Sequence, residues 1–485
     1  MNNKILLTAI TFIAISTLSF AQTSRVMSLG GLTYTVSDPD HSLNLYDFGD
    51  NPAWLINDET AASLKIMPSY GRIWGDYKRT YDFGSADQYG VAFSGIKPMG
   101  ASGTFLGYTA YNYDRRHDVY RTLKHDAYAG EAFNLADTTS GNVNYNGPKV
   151  GFKYSFGLLQ NLYAGVSISY GVMDGLKDIY SSSKTLLRDV NGKIGFAYQV
   201  SDNLVLGSTA YLTDVQESLE MASVDGTDVE IYNFRGETYA IKIRKPSLNQ
   251  KIRRKGKGAG GQIYASPFKN FELAVNGSYN VSGATNLLPN GQMKEYEEGY
   301  ASFENYNLNL KAKYLINENF QLGLSANYFN TNSWSKNSFR DLLLWEWKLS
   351  GPTAGIGGSY YISSMRLLVG AEFEVSSLKA DSSKYIDVRY TKLTSNNNLM
   401  RFGVEYEAMP GGYIRAGYNY GADKYDLIYG GADVKINYVS FGLGYQVSEL
   451  VGVDLGIQFG NLSPKNTSSK RDKFNAAAAI KILSF

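Results

Sequence analysis

The sequence predicts an all-β fold: a transmembrane antiparallel β-barrel of about 18 strands, with 14 or 16 as alternative counts, and an N-terminal luminal plug segment. Three observations carry this prediction. Long segments are apolar at every second position, no stretch of 18 apolar residues follows residue 21, and the chain begins with an export signal. Cysteine does not occur, which excludes disulfides and lipid attachment at cysteine.

The first 21 residues have the pattern of a secretory signal peptide. Lys4 gives a positive start, residues 5–18 form the apolar core, and Ser19-Phe20-Ala21 fits a small-x-small cleavage site. The apolar core is too short for a membrane-spanning helix. We therefore divide the chain into a signal peptide at 1–21, a plug segment at 22–59 and a barrel at 60–485.

The plug segment lacks the alternation of a membrane strand and carries two short motifs instead, Gly30-Gly31 and Asn51-Pro52-Ala53. A segment rich in Gly and Asp turns tightly, and a barrel of this size encloses more space than its inward side chains fill. Residues 22–59 are therefore predicted to fold inside the barrel. The alternative is a periplasmic tail tied to the first strand.

The two motifs, preceded by Arg25, resemble the start of the mature chain in the long-chain fatty-acid transporter (FadL-like) family of outer-membrane proteins. Mature chains of that family begin with an Arg and a Gly-Gly stretch, followed by Asn-Pro-Ala. The resemblance implies a hatch inside the barrel, with the Asn-Pro-Ala turn beneath a ligand site. The residues that carry it are Gly30, Gly31, Asn51, Pro52 and Ala53.

Alternation defines the strands of the barrel. In 271–281 the odd positions are apolar or glycine, and in 306–314 and 320–328 the even positions are apolar. Side chains alternate between the two faces of a strand, so each segment has one apolar and one polar face. An aromatic content of 14%, dominated by 39 tyrosines, fits the interfacial girdles of a barrel. The predicted strands are 60–69, 87–97, 101–113, 147–156, 160–172, 190–200, 203–216, 256–267, 269–282, 302–315, 318–330, 350–362, 365–377, 397–408, 411–422, 436–448, 450–461 and 472–485.

The connections alternate between short turns, such as 97–100 and 409–412, and long polar stretches. Outer-membrane barrels have short periplasmic turns and longer extracellular loops. The sequence therefore predicts the outer membrane of a Gram-negative bacterium. The predicted extracellular loops are 114–146, 217–255, 283–301, 331–349 and 378–396.

The last predicted strand ends in Phe485, which resembles the assembly signal of bacterial outer-membrane barrels. This resemblance implies contact with the barrel-assembly machinery, and outer-membrane lipid is the other partner that a barrel requires. Lys481 departs from the signal, since it shares the alternation of Leu483 and Phe485, where an apolar residue is expected.

Charged residues on the polar faces are expected to line the lumen. Both signs occur, so bonds among them or to the plug are favoured over a ring that selects one ion. Trp345 and Trp347 are assigned to the outer aromatic belt or to a loop over the mouth. The luminal charges are Glu272, Lys311, Lys313, Glu372, Glu374, Arg415 and Asp454.

A concentration of positive charge lies in the predicted extracellular loop 217–255, at Lys251, Arg253, Arg254 and Lys255. At the cell surface its natural partner is anionic lipopolysaccharide, or an anionic ligand that approaches the mouth. A solvated loop without a partner is the alternative. Nucleic acid is not expected as a partner.

The sequence does not predict an enzyme. No Gly-x-Ser-x-Gly elbow occurs, and the three histidines, His41, His117 and His125, lie in the plug segment and in a predicted loop. His117 and His125 have aspartate neighbours, but the arginines and the lysine around them disfavour a metal ion. No cofactor is expected.

Two functions fit these observations. The first is an outer-membrane channel or transporter for a small molecule, hydrophobic compounds included. The second is a structural, receptor or secretion-associated barrel that docks partner proteins, which loops of more than 30 residues favour.

Overall fold

The computed structural model describes residues 23–32, 48–57, 62–100, 103–177, 181–223, 226–236, 238–290 and 294–483. The predicted signal peptide, His41 and Phe485 lie outside these residues. The N-terminal part contains helix α1 (Thr23–Ser28) and two 3-10 helices, Phe48–Asp50 and Pro52–Asn57. Among the described residues, no helix is long and apolar enough to cross a membrane.

Strands make up most of the described chain, with one further turn of 3-10 helix at Ser363–Met365. In chain order they are β1 Ser63–Trp74, β2 Ser85–Pro98, β3 Thr104–Thr122, β4 Phe133–Leu159, β5 Leu162–Lys177, β6 Ser181–Ser201, β7 Leu204–Ser223, β8 Val229–Arg235, β9 Ala240–Lys245, β10 Ser247–Ala265, β11 Phe271–Asn290, β12 Lys294–Asn317, β13 Phe320–Asn337, β14 Leu342–Ile362, β15 Leu367–Lys384, β16 Arg389–Met409, β17 Gly412–Tyr425, β18 Ala432–Ser448, β19 Val451–Pro464 and β20 Arg471–Leu483.

All strands except β8 and β9 form one closed antiparallel ring. Neighbouring strands from β1 to β7 pair in order, β7 pairs with β10, and the ring continues to β20. β20 then pairs with β1, where Lys65 stands opposite Lys481. Closure leaves no free strand edge. The predicted antiparallel barrel of 18 strands is confirmed, because each predicted strand corresponds to one strand of the ring.

The outer surface of the ring is apolar and the inner surface is polar, as β16 shows. Met400, Phe402 and Val404 are exposed at alternate positions, whereas Gly403 and Glu405, each directly after an exposed residue, are buried. A water-soluble protein would bury the first set and expose the second. The same reversal along the other strands makes the outer surface lipid-facing, and this closed barrel therefore lies in the outer membrane.

At one end of the barrel, neighbouring strands are joined by tight turns. Gln160-Asn161 joins β4 to β5 and Pro410-Gly411 joins β16 to β17, each directly after a register shift in the preceding strand. Asn161 and Gly411 have φ values of 62° and 72°. A bulge followed by a left-handed residue is a common short hairpin. This end also contains the start of β1 and the end of β20, so we call it the periplasmic end and the other the extracellular end.

The predicted extracellular loops are wrong in extent, because most of their residues belong to strands. β11 and β12 are separated only by residues 291–293, and β15 and β16 only by 385–388. Alternation of apolar residues ends where the outer surface leaves the lipid, but the ladder hydrogen bonds satisfy the backbone in water as well. The strands therefore continue above the membrane without a hydrophobic signal.

Lys481 does not interrupt an apolar face, which corrects the sequence-based expectation. Odd positions of β20 face the lumen, since Lys481 pairs with Lys65 and with Gly452 on inward positions of the neighbouring strands. The lipid-facing residues are the even ones, among them the exposed Ile480.

The hairpin of β8 and β9 is not one of the ring strands and lies at the extracellular end of the barrel. β8 pairs with the first residues of β4, where Phe133 stands opposite Arg235 and Ala136 opposite Tyr232. A buried apolar cluster joins this hairpin to its surroundings and consists of Leu123, Leu135, Met221, Val229, Ile231 and Leu248.

Candidate functional site: the filled lumen

Helix α1 ends at the Gly30-Gly31 motif. The Gly31 N–H donates to Val26 O at 2.6 Å and the Gly30 N–H donates to Met27 O at 3.3 Å. Both glycines have left-handed φ values, 77° and 76°. This pair of bonds is the Schellman arrangement that satisfies the last carbonyls of a helix. Glycine is favoured here because other residues rarely adopt these φ values.

The helix lies in a groove of four inward-facing glycines, which we call the helix groove: Gly403, Gly417, Gly442 and Gly456 on β16 to β19. A Cβ at Gly456 would lie 2.5 Å from Ser24 O, and one at Gly403 would overlap Leu29 O. Only glycine on the wall allows the helix backbone to approach this closely. Leu29 and Leu32 are fully buried there.

Ion pairs hold the same helix to the wall. Arg25 donates to Glu405 Oε1 at 2.9 Å, and Arg415 contacts the other oxygen of Glu405 at 2.5 Å. Arg415 also binds Asp454 at 2.5 Å. The expectation that luminal charges bind one another or the plug segment is confirmed for these residues, and for Glu372 and Glu374, which both contact Arg401.

The Asn51-Pro52-Ala53 motif lies against another part of the inner wall. Asn51 Nδ2 donates to Phe196 O and Ser208 O at 3.0 Å each, and to Gln262 Oε1 at 2.9 Å. Asn51 Oδ1 accepts from the Ala53 N–H at 2.9 Å, so it caps the 3-10 helix that Pro52 begins. Asn51 is 1% exposed, and both polar atoms of its side-chain amide have hydrogen-bond partners in the protein.

A second set of inward-facing glycines receives this motif, and we call it the motif groove: Gly165, Gly195 and Gly207 on β5 to β7. A Cβ at Gly165 would lie 2.5 Å from Ala53 N, and one at Gly195 would overlap Asn51 Oδ1. Ser155 Oγ donates to Ala53 O at 2.9 Å from the neighbouring strand β4. The motif therefore fits one place on the wall.

The two grooves lie on opposite sides of the ring. The helix groove belongs to β16–β19 and the motif groove to β5–β7, so the described pieces of the plug segment touch facing walls. The glycines of both grooves lie about four to seven residues from the periplasmic turns, in the periplasmic half of their strands. Residues 33–47, which connect the pieces, are outside the described part of the chain.

A separate structure crosses the extracellular mouth, and we call residues 123–136 together with the β8–β9 hairpin the mouth cap. Its residues contact inward side chains of β7, β10, β13 and β14. The His125 N–H donates to Glu217 Oε1 at 2.6 Å, and Ser335 Oγ lies 3.3 Å from Ala132 N. Trp347 Nε1 donates to Gly130 O at 3.5 Å. The sequence did not predict this cap, because residues 123–132 show no strand or helix period and residues 229–245, which do alternate, fall in the predicted loop 217–255.

Buried charge fixes the mouth cap to the wall. Lys124 Nζ lies 3.0 Å from Glu131 Oε2, and Arg254 contacts the other oxygen of Glu131 and donates to Ala129 O at 2.7 Å. Burial alone would raise the pKa of Glu131, but the two cations outweigh it and lower the pKa to about 2. Glu131 is therefore an anion at every physiological pH.

We expect Glu131→Gln to loosen the mouth cap. The change leaves the buried Lys124 without its counter-charge, which costs about 3–5 kcal/mol when one partner of a buried pair is removed. Amide hydrogen exchange over residues 123–136 should accelerate while exchange in the barrel strands stays slow. Asp341→Asn is the matched control, since Asp341 pairs with Lys336 on the exposed surface and should change little. Equal exchange in both variants would contradict the proposed role of the pair.

His125 makes the mouth cap sensitive to acid. Arg116 donates to His125 O at 2.7 Å and lies 3.1 Å from the ring Nε2, and the ring packs on Tyr145. Burial and Arg116 lower the pKa of His125 to about 3. The unfolded histidine takes up a proton below about pH 6.5 and the folded one does not, so cap stability falls as the pH drops from there towards 3.

Between pH 7 and pH 5 this difference amounts to at most about 2 kcal/mol. Exchange of the cap amides, corrected for the intrinsic rate, should therefore increase at pH 5. His125→Gln keeps an acceptor for Arg116 but no longer titrates, so the increase should shrink. Burial raises the pKa values of the neighbouring Asp126 and Glu217, so their protonation stabilises the folded cap as the pH falls and opposes the effect of His125. An undiminished increase in the variant would therefore show that His125 is not the source of the acid sensitivity.

The predicted basic extracellular loop is wrong as a secondary structure, since Lys251, Arg253, Arg254 and Lys255 all lie in strand β10. Alternation also divides them. Arg254 faces the lumen and binds the mouth cap, whereas the other three face outward. Residues 251–255 pair with both β7 and β11. The concentration of charge in this stretch had suggested a loop.

The two predicted tryptophans, Trp345 and Trp347, lie on β14 and pack against the mouth cap. This agrees with the second of the two sequence-based assignments, a structure over the mouth. His117 Nε2 lies 3.8 Å from Asp87, whereas the His125 ring contacts Arg116 and Tyr145, so the two histidines have different neighbours. In the part of the chain that the structure describes, no group of three or more His, Asp or Glu side chains could hold a metal ion.

The wall between the two inner structures is rich in amides. Asn276, Asn309 and Asn327 stand opposite one another on inward positions of β11, β12 and β13. Two inward positions further along the same pair of strands, Asn305 donates to Asn280 at 2.8 Å. Apolar contacts of the plug segment come from Leu29 and Leu32 in the helix groove and from Leu55, which packs with residues of β2 and β3. The inner wall is therefore wettable.

These features define an outer-membrane β-barrel whose lumen contains an N-terminal segment at the periplasmic end and a cap at the extracellular end. Residues 52–475 match the model of a family of unknown function, DUF6850, and the chain belongs to that family. A comparison with curated proteins gives no match.

Several solved structures are similar to this chain at low identity. The toluene transporter TodX of Pseudomonas putida is 12% identical, with 95% of this chain and 97% of that chain covered and a TM-score of 0.35. The toluene transporter TbuX of Ralstonia pickettii has the same identity, coverage and TM-score. The ferric-catecholate import receptor Fiu of Escherichia coli K12 is 11% identical, with 87% and 82% covered and a TM-score of 0.47.

Proposed function

We propose that this protein is an outer-membrane channel or transporter for a small molecule, and that residues 22–59 form the plug that controls passage. The observation that carries the proposal is the docking of Asn51 in the motif groove, with its amide fully bonded. A structural barrel has no need of a segment held in its lumen by groups of the inner wall.

The plug is proposed to be a hatch of the FadL-like kind. The resemblance rests on Gly30, Gly31 and the Asn-Pro-Ala turn, and the contacts of these residues with inward glycines support it. Noncovalent contacts with an otherwise complete barrel allow the segment to move without breaking a ladder bond. Passage would require movement of the plug and of the mouth cap, since each occupies one end of the lumen.

Small hydrophobic compounds are the first class of substrate to test. The FadL-like resemblance supports this class, and two of the similar structures are those of toluene transporters. The amide rows of the inner wall support polar solutes as the comparison class, because amides replace the hydrogen bonds of water.

The test is uptake by cells that express the chain in an outer membrane otherwise poor in channels. Labelled toluene and a labelled disaccharide serve as probes, and cells with the empty vector give the background. We expect saturable uptake of one probe above that background. If neither probe exceeds the vector control although the barrel is folded in the membrane, the proposal fails and a scaffold or receptor that docks partner proteins takes its place.

A further inference from the structure

The outward side of β10 carries four basic residues in a row: Lys251, Arg253, Lys255 and Lys257. Inward positions of this strand are the even ones, since Gln262 contacts Asn51 in the lumen and Arg254 contacts the mouth cap. The odd positions therefore point away from the barrel. We call these four residues the basic row; outward neighbours along a strand are about 7 Å apart.

The basic row begins at the upper boundary of the lipid-facing surface. Below it on the same side of β10 lie Ala259 and the exposed Ile263. Lys257 stands opposite Leu212 of β7, which is 67% exposed, and opposite Val281 of β11. One level higher, Lys255 stands opposite Asp214. The first lysine thus lies at the last apolar level, which is the height of the lipid headgroups.

Nearby carboxylates neutralise only part of the row. Lys251 Nζ lies 2.6 Å from Glu295, and an Arg253 nitrogen lies 2.9 Å from Asp214. Within the described residues, no ion pair joins Lys255 or Lys257 to a carboxylate. Arg188 of β6 adds an exposed outward charge at the level of Gln216, the residue opposite Arg253.

We propose that the basic row, centred on Lys255 and Lys257, binds the phosphate groups of the lipid A part of lipopolysaccharide in the outer leaflet. Ammonium groups at headgroup height attract anionic lipid, and long lysine stems can lie along the apolar surface while their charge reaches the phosphate. The row lies at the extracellular end, where the lipid carries more than one phosphate. A row of several regularly spaced cations matches a headgroup with more than one phosphate better than it matches a phospholipid headgroup with one.

The test is a titration of the purified full chain in detergent with lipid A carrying two phosphates, followed by native mass spectrometry. We expect a one-to-one complex with the unaltered chain and much weaker binding of lipid A from which the phosphates have been removed. Each lysine at a membrane surface contributes about fivefold in affinity, so Lys255→Gln with Lys257→Gln should weaken binding about 25-fold.

The matched control is Lys348→Gln with Lys392→Gln. These lysines also face outward at exposed positions, on β14 and β16, but they flank Asp381. The control should bind lipid A like the unaltered chain. Heat-modifiable migration on gels verifies that both variants are folded barrels.

Three results would overturn the proposal. Unchanged binding by the double variant would exclude the basic row. Equal weakening by the control would show a general effect of positive charge. Binding of phosphatidylglycerol as tight as that of lipid A would assign the row to anionic lipid of any kind. None of these results depends on whether the barrel transports a solute.

Discussion

Removal of residues 24–55 is expected to raise single-channel conductance about tenfold or more, because barrels of 16–18 strands enclose an aqueous channel once nothing fills them. Eighteen strands at ordinary spacing and tilt enclose a ring about 35 Å across between backbones. The deletion removes α1 and the Asn51 motif from facing walls of this ring. It removes no ladder pair, so the barrel should still fold.

We expect the mouth cap to limit the size of the new current steps. Its contacts reach from β7 to β14, so the extracellular mouth should stay narrowed after the deletion. A second variant replaces residues 124–131 with a short Gly-Ser linker. We expect this variant alone to remain closed by the plug, and the combination with the deletion to give the largest steps of the series.

The measurement is made in planar bilayers on purified protein, with far-UV circular dichroism and heat-modifiable migration as checks of folding. Large steps from the intact chain would mean an open pore and would refute a plug. Silence from the deletion and from the combined variant, both verified as barrels, would show that residues 24–55 do not close the lumen. The intact chain is expected to be silent or to show only small, brief openings.

Strand number and orientation could be predicted because lipid imposes a periodic signal. Ile480 and Phe402 are apolar because they face hydrocarbon, and each barrel strand carries such residues at every second position. The signal ends where the lipid ends. It could not show that β11 continues to Asn290 or that Lys251 is part of a strand, because nothing apolar marks those positions.

For the two grooves, the sequence predicts the residues that are received but not the wall glycines that receive them. Gly30 and Asn51 stand in recognisable motifs, but their receiving glycines, such as Gly195 and Gly403, are scattered among the 50 glycines of the chain. A glycine that receives a neighbouring backbone has the same sequence appearance as one that faces lipid. The mouth cap was missed for a related reason: the contact between Glu131 and Arg254 joins residues far apart in the chain, without a local pattern.

Gly195→Val is expected to dislodge the Asn-Pro-Ala motif from the motif groove. The new side chain would overlap Asn51 Oδ1, and displacement of Asn51 breaks its bonds to Phe196 O and Ser208 O. Overpacking together with the loss of buried hydrogen bonds costs about 3–5 kcal/mol, which is enough to release a segment held by local contacts. Limited proteolysis should then cut between residues 33 and 57, and the bilayer current should show frequent openings that the intact chain lacks.

The matched control for this variant is Gly192→Val on the same strand. Gly192 is an outward position of β6, and no atom lies within 4 Å of an added Cβ there. Valine at a lipid-facing strand position is favourable, so this variant should behave like the unaltered chain in both assays. Since the two substitutions have the same chemistry and lie three residues apart, a difference between them isolates the contact with Asn51. Identical behaviour would mean that docking of the motif does not control the channel, even if the segment lies in the lumen.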